Sequence, residues 1–294
     1  GKAKLIRQEA GRDLSNLVFL VLTQALLFRT MSSVHVQDLD FAPVSLYFAV
    51  AGGLFVVLLL AQGPSSKAAV IALSGIFSNT VMIGIPLVGL AYGKEGQVLL
   101  FTLISLHALV LLTFATVVLE LLHARELVAS GAVPSRNRLA TVFMAVRNAV
   151  VHPVPMPIIA GLLFAQTGWT LPDVVDRPLV LLGNAFGPVA LVLVGVTLSQ
   201  AAIGKHLKSA LAVSVIKTLV HPALMALVGY LCGLRGLSLS VLVVAASLPI
   251  GANVFLFSQR YQRAEELVTA SVAVSTLVAL VSVTLVMTLM PLIA

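Results

Sequence analysis

Ser78-Asn79-Thr80-Val81-Met82-Ile83-Gly84-Ile85-Pro86 sits inside an apolar stretch long enough to cross a bilayer, yet it is poorly suited to an unbroken membrane helix. Pro86 lacks an N–H and clashes with the preceding turn, which frees a carbonyl near Met82. Gly84 permits backbone geometry that other residues resist. A second stretch of the same kind is Ser247-Leu248-Pro249-Ile250-Gly251-Ala252-Asn253. Each is followed by a tyrosine and a charged turn, Tyr92-Gly93-Lys94-Glu95 and Tyr261-Gln262-Arg263-Ala264-Glu265. Interrupted spans at matching places of two halves point to a midplane binding site in a carrier.

The rest of the chain agrees with a lipid setting. Of 294 residues, 59% are hydrophobic and 10% charged, against about a quarter charged in soluble domains. So few polar side chains could not cover a soluble surface, so the bilayer is the solvent for most of the chain. The single cysteine, Cys232, excludes intrachain disulfides and cysteine-based metal sites. The net charge of +7 does not indicate a nucleic-acid partner, because the basic residues sort into loops rather than one patch. Residues 1–12 are basic and lack the apolar core of a cleavable signal.

Runs of spanning length fall at about 14–32, 41–61, 68–91, 97–121, 143–167, 178–199, 209–233, 238–260 and 266–293. The broken ones are third and eighth. A polar connection at 123–142 divides a first half, 1–122, from a second, 143–294. With sides alternating at each span, Arg29, Lys94, Arg177 and Arg235 share one side and Lys217 lies within a span. The remaining 13 of the 18 Lys and Arg fall on the side of residue 1, which is therefore expected to be cytoplasmic, with the C-terminus outside. Aligning Tyr92 with Tyr261 superposes the broken spans and leaves the first half one span short. We therefore expect an all-α membrane protein of inverted five-helix repeats, a ten-span carrier whose first span is missing from this numbering, leaving nine.

In hydrocarbon each freed backbone group costs several kcal/mol (roughly 2–7) unless protein, water or ligand satisfies it. Ser78, Asn79 and Thr80 in one half, and Pro249, Gly251 and Asn253 in the other, are placed to do so, with Gly84 and Pro86 making the break. N–H groups at the start of a half-helix would seat a carboxylate. A plain proline kink healed by Ser and Asn is the simpler alternative for either span alone. The matched pair favours a site.

Lys217 is the one basic residue well inside a span. It is expected either to attract an anionic substrate or to snorkel to the cytoplasmic surface. His107, mid-span, is a candidate for proton coupling, with a packing role as the plainer alternative. Glu120 and His152 read as interfacial. No Asp or Glu falls near the middle of a span, so cation coupling through a buried carboxylate is not expected, and uniport fits better. No metal site or cofactor is expected.

The motifs also resemble a known family. Phe77-Ser78-Asn79-Thr80, Gly84-Ile85-Pro86-Leu87 and Tyr92-Gly93 resemble the auxin efflux carriers, in their bacterial, malonate-transporter-like branch, within the bile-acid/sodium-symporter-like superfamily. Leu248-Pro249-Ile250-Gly251 running into Ser258-Gln259-Arg260-Tyr261 is similar, as are Ala25-Leu26-Leu27-Phe28 and Gly187-Pro188. Gln24 departs from the pattern, standing where such carriers commonly have proline. The resemblance implies ten helices, two of them crossing at unwound middles, a homodimer, and transport of small organic anions, mono- or dicarboxylates. The leading expectation is thus a secondary transporter of the cell inner membrane. Its rivals are a proton-coupled dicarboxylate symporter, an uncoupled anion channel and, outside transport, a membrane-embedded enzyme or a receptor. No nucleophile–base pair, acidic pair or His-rich motif at membrane depth supports the enzyme.

Overall fold

The structure, a computed structural model, describes residues 13–14, 16–33, 40–107, 110–111, 113–129, 155–200, 204–251 and 253–293. The basic N-terminal segment, the connection beyond Ala129, His152 and the start of the 143–167 stretch lie outside them. Every apolar stretch contains helix among the described residues. In chain order these are α1 (Thr23–Met31), α2 (Phe41–Gln62), α3 (Ser66–Ser74), α4 (Ile85–His107), α5 (Thr113–Ala129) and α6 (Pro155–Gln166). They continue as α7 (Asp173–Gln200), α8 (Leu207–Val215), α9 (His221–Leu231), α10 (Gly236–Ser247), α11 (Asn253–Tyr261) and α12 (Glu265–Ile293). Among the described residues there is no strand, only one isolated antiparallel bridge between Ser78 and Ile250.

Among the described residues, four helical stretches are long and apolar enough to cross a membrane: Phe41–Gln62, Thr80–His107, Leu207–Leu231 and Glu265–Ile293. Their outward faces carry large apolar side chains such as Leu60, Leu231, Leu280 and Val281, each more than 60% exposed. Such a surface is soluble only in lipid.

The second stretch is not straight. Gly93 has φ 61° and ψ −153°, outside helical geometry. Gln97 lies eight residues beyond Gly89, about 12 Å along a straight helix. Its Nε2 nevertheless comes within 2.5 Å of where a Cβ on Gly89 would stand. The two arms of α4 therefore fold back on one another. This places a turn where the sequence put Tyr92-Gly93-Lys94-Glu95, and Gly93 is the residue type that accepts its positive φ.

The chain divides into two compact units that cut across the sequence halves, each half contributing to both. The first holds the described parts of Gly1–Phe41, Thr80–Leu106 and Val151–Ala201. Within it α1 packs on α6 and α7. Gly161 permits the first contact, since a Cβ there would lie 2.6 Å from the Phe28 carbonyl. A π-turn, Val18–Leu22, precedes α1 and receives the Thr23 hydroxyl on the Val18 carbonyl at 2.7 Å. The irregularity of this span thus falls one turn before Gln24, which lies in regular helix.

The second unit holds the described parts of Ala42–Asn79, His107–Val150 and Ala202–Ala294. Here α12 runs against α8, α10, α11 and α3, while α5 packs on α3. α10 is buried from Leu239 through Ser247, and the inner side of α12 is rich in Ala and Ser, which lets helices approach closely. Another π-turn, Ile216–Val220, joins α8 to α9. The start of α3 is capped by Ser65, whose hydroxyl accepts the Ala68 N–H at 3.1 Å. Glu126, on α5, accepts both the Ser66 N–H (2.7 Å) and the Ser66 hydroxyl (3.0 Å), with Arg263 3.6 Å away. α5 runs past residue 122 to Ala129, beyond the expected start of the polar connection.

Burial alone would raise the Glu126 carboxyl, but the Ser66 donors and the Arg263 charge outweigh it and hold it below its ordinary range. A depressed acid stabilises the fold fully above the ordinary carboxylate range and loses that contribution as pH falls through its own lower value. We expect Glu126→Ala to cost about 1 kcal/mol at neutral pH, as loss of a helix cap does. The gap from wild type should close in acid, read as melting temperature in detergent across a pH series.

Candidate functional site

In the second unit the two broken stretches meet. After Ser74 the backbone turns at Gly75 and Ile76 and runs extended through Phe77–Asn79. α10 ends at Leu248, whose ψ of 151° is extended. Asn79 N–H donates to the Pro249 carbonyl at 2.8 Å, and Gly251 N–H donates to the Phe77 carbonyl at 2.9 Å. Each break thus satisfies groups that the other leaves without a helical partner. The contact is close: a Cβ on Gly251 would lie 2.8 Å from Phe77 Cδ1 and 3.0 Å from the Ser78 carbonyl.

Other groups at the breaks find partners too. Ile250 N–H donates to Ser275 Oγ at 3.1 Å, and Ser247 Oγ donates to the Val244 carbonyl at 2.8 Å. Lys217 Nζ donates to the Ala246 carbonyl at 2.5 Å and the Leu248 carbonyl at 2.7 Å. These carbonyls lie at a helix C-terminus, where partial negative charge gathers. Lys217 has no exposed surface, so the snorkelling expectation is overturned: the side chain turns inward because the orphan carbonyls of α10 offer its N–H groups partners at depth.

The break also sits elsewhere than proline alone suggests. It spans Gly75–Asn79, before the π-turn Thr80–Gly84, and Pro86 is already the second residue of α4. Helix runs without a gap from Thr80, so Pro86 lies in its second turn, where the wider π-turn before it takes up the missing donor. The extended break thus lies one to two turns before the proline that marks it in the sequence. Two backbone N–H groups within the breaks, those of Asn79 and Gly251, are engaged by the opposite break.

Around the crossing lies a buried polar cluster. The Tyr47 hydroxyl and Ser78 Oγ are 3.1 Å apart. The His107 ring lies 4.4 Å from Phe77 and 6.1 Å from Tyr47, and His221 lies 5.5 Å from Tyr47, centroid to centroid. His107 Nε2 and both ring nitrogens of His221 have no hydrogen-bond partner among the described residues. Unpaired buried nitrogens are costly, so these three set the cluster apart from an ordinary packed core. Asn253 opens α11, partly buried.

Ser78, Pro249, Gly251, Lys217 and His107 are thus brought to one place. Tyr47 and His221 were not anticipated, although His221 follows Lys217 by four residues and so shares its helix face.

Thr80, Gly84 and Pro86 belong to the first unit, where Pro86 faces α7: its Cβ would be 3.5 Å from a Cβ on Gly187. Pro86 and Gly187 line a cavity of about 770 Å³ with Arg29, Thr30, Ser33, Lys94, Gln97 and Asn184. A second cavity of about 440 Å³ shares Arg29, Ser33 and Lys94 and adds Trp169 and Asp176. Arg29 holds Asp176 by two bonds, Nε–Oδ1 at 2.9 Å and Nη2–Oδ2 at 3.3 Å.

The profile of the family described as "Membrane transport protein" matches residues 1–287. The chain belongs to that family. It is a multi-pass membrane transporter of the auxin efflux carrier family, which its motifs resemble. It is 24% identical over 242 residues to "Auxin efflux carrier component 8" of Arabidopsis thaliana, covering 70% of this chain and 66% of that protein. To a "Putative malonate transporter" of Rhizobium meliloti (strain 1021) it is 27% identical over 285 residues, covering 94% and 86%. The chain therefore spans about two thirds of the plant relative and most of the bacterial one.

Proposed function

We propose that this member of the auxin efflux carrier family is a secondary transporter of small organic anions, mono- or dicarboxylates, in the cell inner membrane. It works by alternating access around the crossed breaks, with residue 1 in the cytoplasm and the C-terminus outside. Ten spans in two inverted repeats and a homodimer belong to the same reading. The observation that carries it is the meeting of two interrupted helices at Ser78 and Ile250, with Lys217 on the freed carbonyls of α10. Such paired gaps are how carriers expose backbone polarity to a solute at membrane depth. The name of the bacterial relative makes malonate the first anion to try.

The side chains of Ser78, Asn79 and Asn253 are assigned to the substrate, with Pro249 and Gly251 shaping the backbone around it. Lys217 supplies positive potential from behind the carbonyls it holds. The body holding the crossover moves as one part to switch access.

The test is flux into proteoliposomes holding the full-length protein, with malonate, succinate and indole-3-acetate at two pH values. Saturable exchange against preloaded anion is expected, whereas unsaturable flux would make the protein a channel. Asn79→Ala should cut uptake at least about tenfold, the equivalent of about 1.4 kcal/mol, without changing expression or melting. Wild-type flux in that variant would remove Asn79 from the site.

Proton-coupled symport is the second reading, favoured by the unpartnered nitrogens of His107 and His221. It requires uptake driven by an imposed pH gradient in the same assay. Uptake indifferent to that gradient leaves uniport.

A further inference from the structure

We propose that the adjoining cavities of the first unit form a capture site for dicarboxylates, with Lys94 and Arg29 as its two carboxylate-binding cations. Asp176 is a built-in competitor that occupies Arg29 until substrate arrives. This rests on the reading of the protein as an organic-anion carrier and narrows it to substrates with two carboxylates.

The geometry carries the assignment. A guanidinium fork bound by two parallel bonds is the arrangement by which arginine recognises a carboxylate. Arg29 is already engaged in this way by Asp176, on the lining of the 440 Å³ cavity. The pair is partly open to solvent, with 44% and 31% of the two side chains exposed. Exposed pairs are weak and exchange readily, so an incoming carboxylate can take the place of Asp176.

Lys94 lines both cavities and forms no ion pair among the described residues. The rim therefore offers one cation without a carboxylate and one holding a replaceable stand-in. Inward from Lys94, one arm of α4 leads eight residues back to Pro86, about 12 Å of helix, past Gln97 and Asn184, which supply amide donors for a desolvating anion. Cavities of 440 and 770 Å³ fall within the range that accepts small organic ligands. A monocarboxylate can use only one of the cations, so a diacid gains more from the rim.

The experiment is initial-rate uptake of labelled malonate by full-length protein in proteoliposomes at low ionic strength, with propionate as competing monocarboxylate. Lys94→Gln should raise KM for malonate about five- to tenfold, the range of one lost charge contact, with kcat little changed. Lys94→Arg should restore it. Asp176→Asn should lower KM by releasing Arg29, an effect opposite in sign to that of a merely structural loss. Both shifts should shrink in high salt, and the potency of propionate should move less than that of malonate. If Lys94→Gln and Asp176→Asn both leave KM for malonate within twofold of wild type, the capture site is wrong while the carrier reading stands. If wild type moves no malonate and binds none, both fall together.

Discussion

Lys217→Met should leave a protein that melts well below wild type and transports at least about tenfold more slowly. The reason is the environment its nitrogen would vacate: the carbonyls of Ala246 and Leu248 would lose their partner in a fully buried place. Each buried carbonyl left unpaired costs roughly 1–3 kcal/mol, a large fraction of the net stability of a folded protein. Methionine keeps the length of the stem, so packing loss is small and the effect reports the missing N–H groups. The measurement pairs a melting curve in detergent with proteoliposome flux. Were Lys217 only a substrate ligand, flux would fall while the melting curve stayed in place.

Gly251→Val is expected to be the most disruptive change at the crossing. Even a first carbon on Gly251 would meet the Phe77 ring at 2.8 Å and the Ser78 carbonyl at 3.0 Å. One of these neighbours is backbone and cannot turn aside, so the bond from Gly251 N–H to Phe77 must break or lengthen. Overpacking of this kind costs typically 1–3 kcal/mol, and here it also unpairs two buried groups. Loss of flux and of folded yield is expected. Gly53→Ala is the control, because no atom lies within 4 Å of its added carbon. Normal flux in Gly251→Val would mean the breaks need not touch for transport.

Much of this arrangement was readable without coordinates. Pro86 and Pro249, each with a nearby glycine, mark two spans as interrupted, because neither residue suits the middle of a helix. Gly93 and its charged neighbours mark the reversal that α4 indeed makes. What the residue pattern could not place was the break itself. A wide π-turn takes up Pro86 without unwinding the chain there, and the extended segment falls at Phe77–Asn79, where the partner is a stretch far along the chain. The fate of Lys217 was hidden for the same reason: its acceptors are carbonyls of α10, which no spacing rule links to it. Tyr47 was invisible because it interrupts an apolar run without disturbing its hydropathy, and only its place beside Ser78 gives it meaning. Arg29 read as one basic residue of its side until the fold set it against Asp176.

The reversal at Gly93 also limits what can replace it. Open space surrounds the position, so bulk is not the obstacle; its φ of 61° is, because a residue bearing a Cβ is strained there. An alanine at this point would be paid for in the backbone of the loop and in no contact that a neighbouring substitution could relieve.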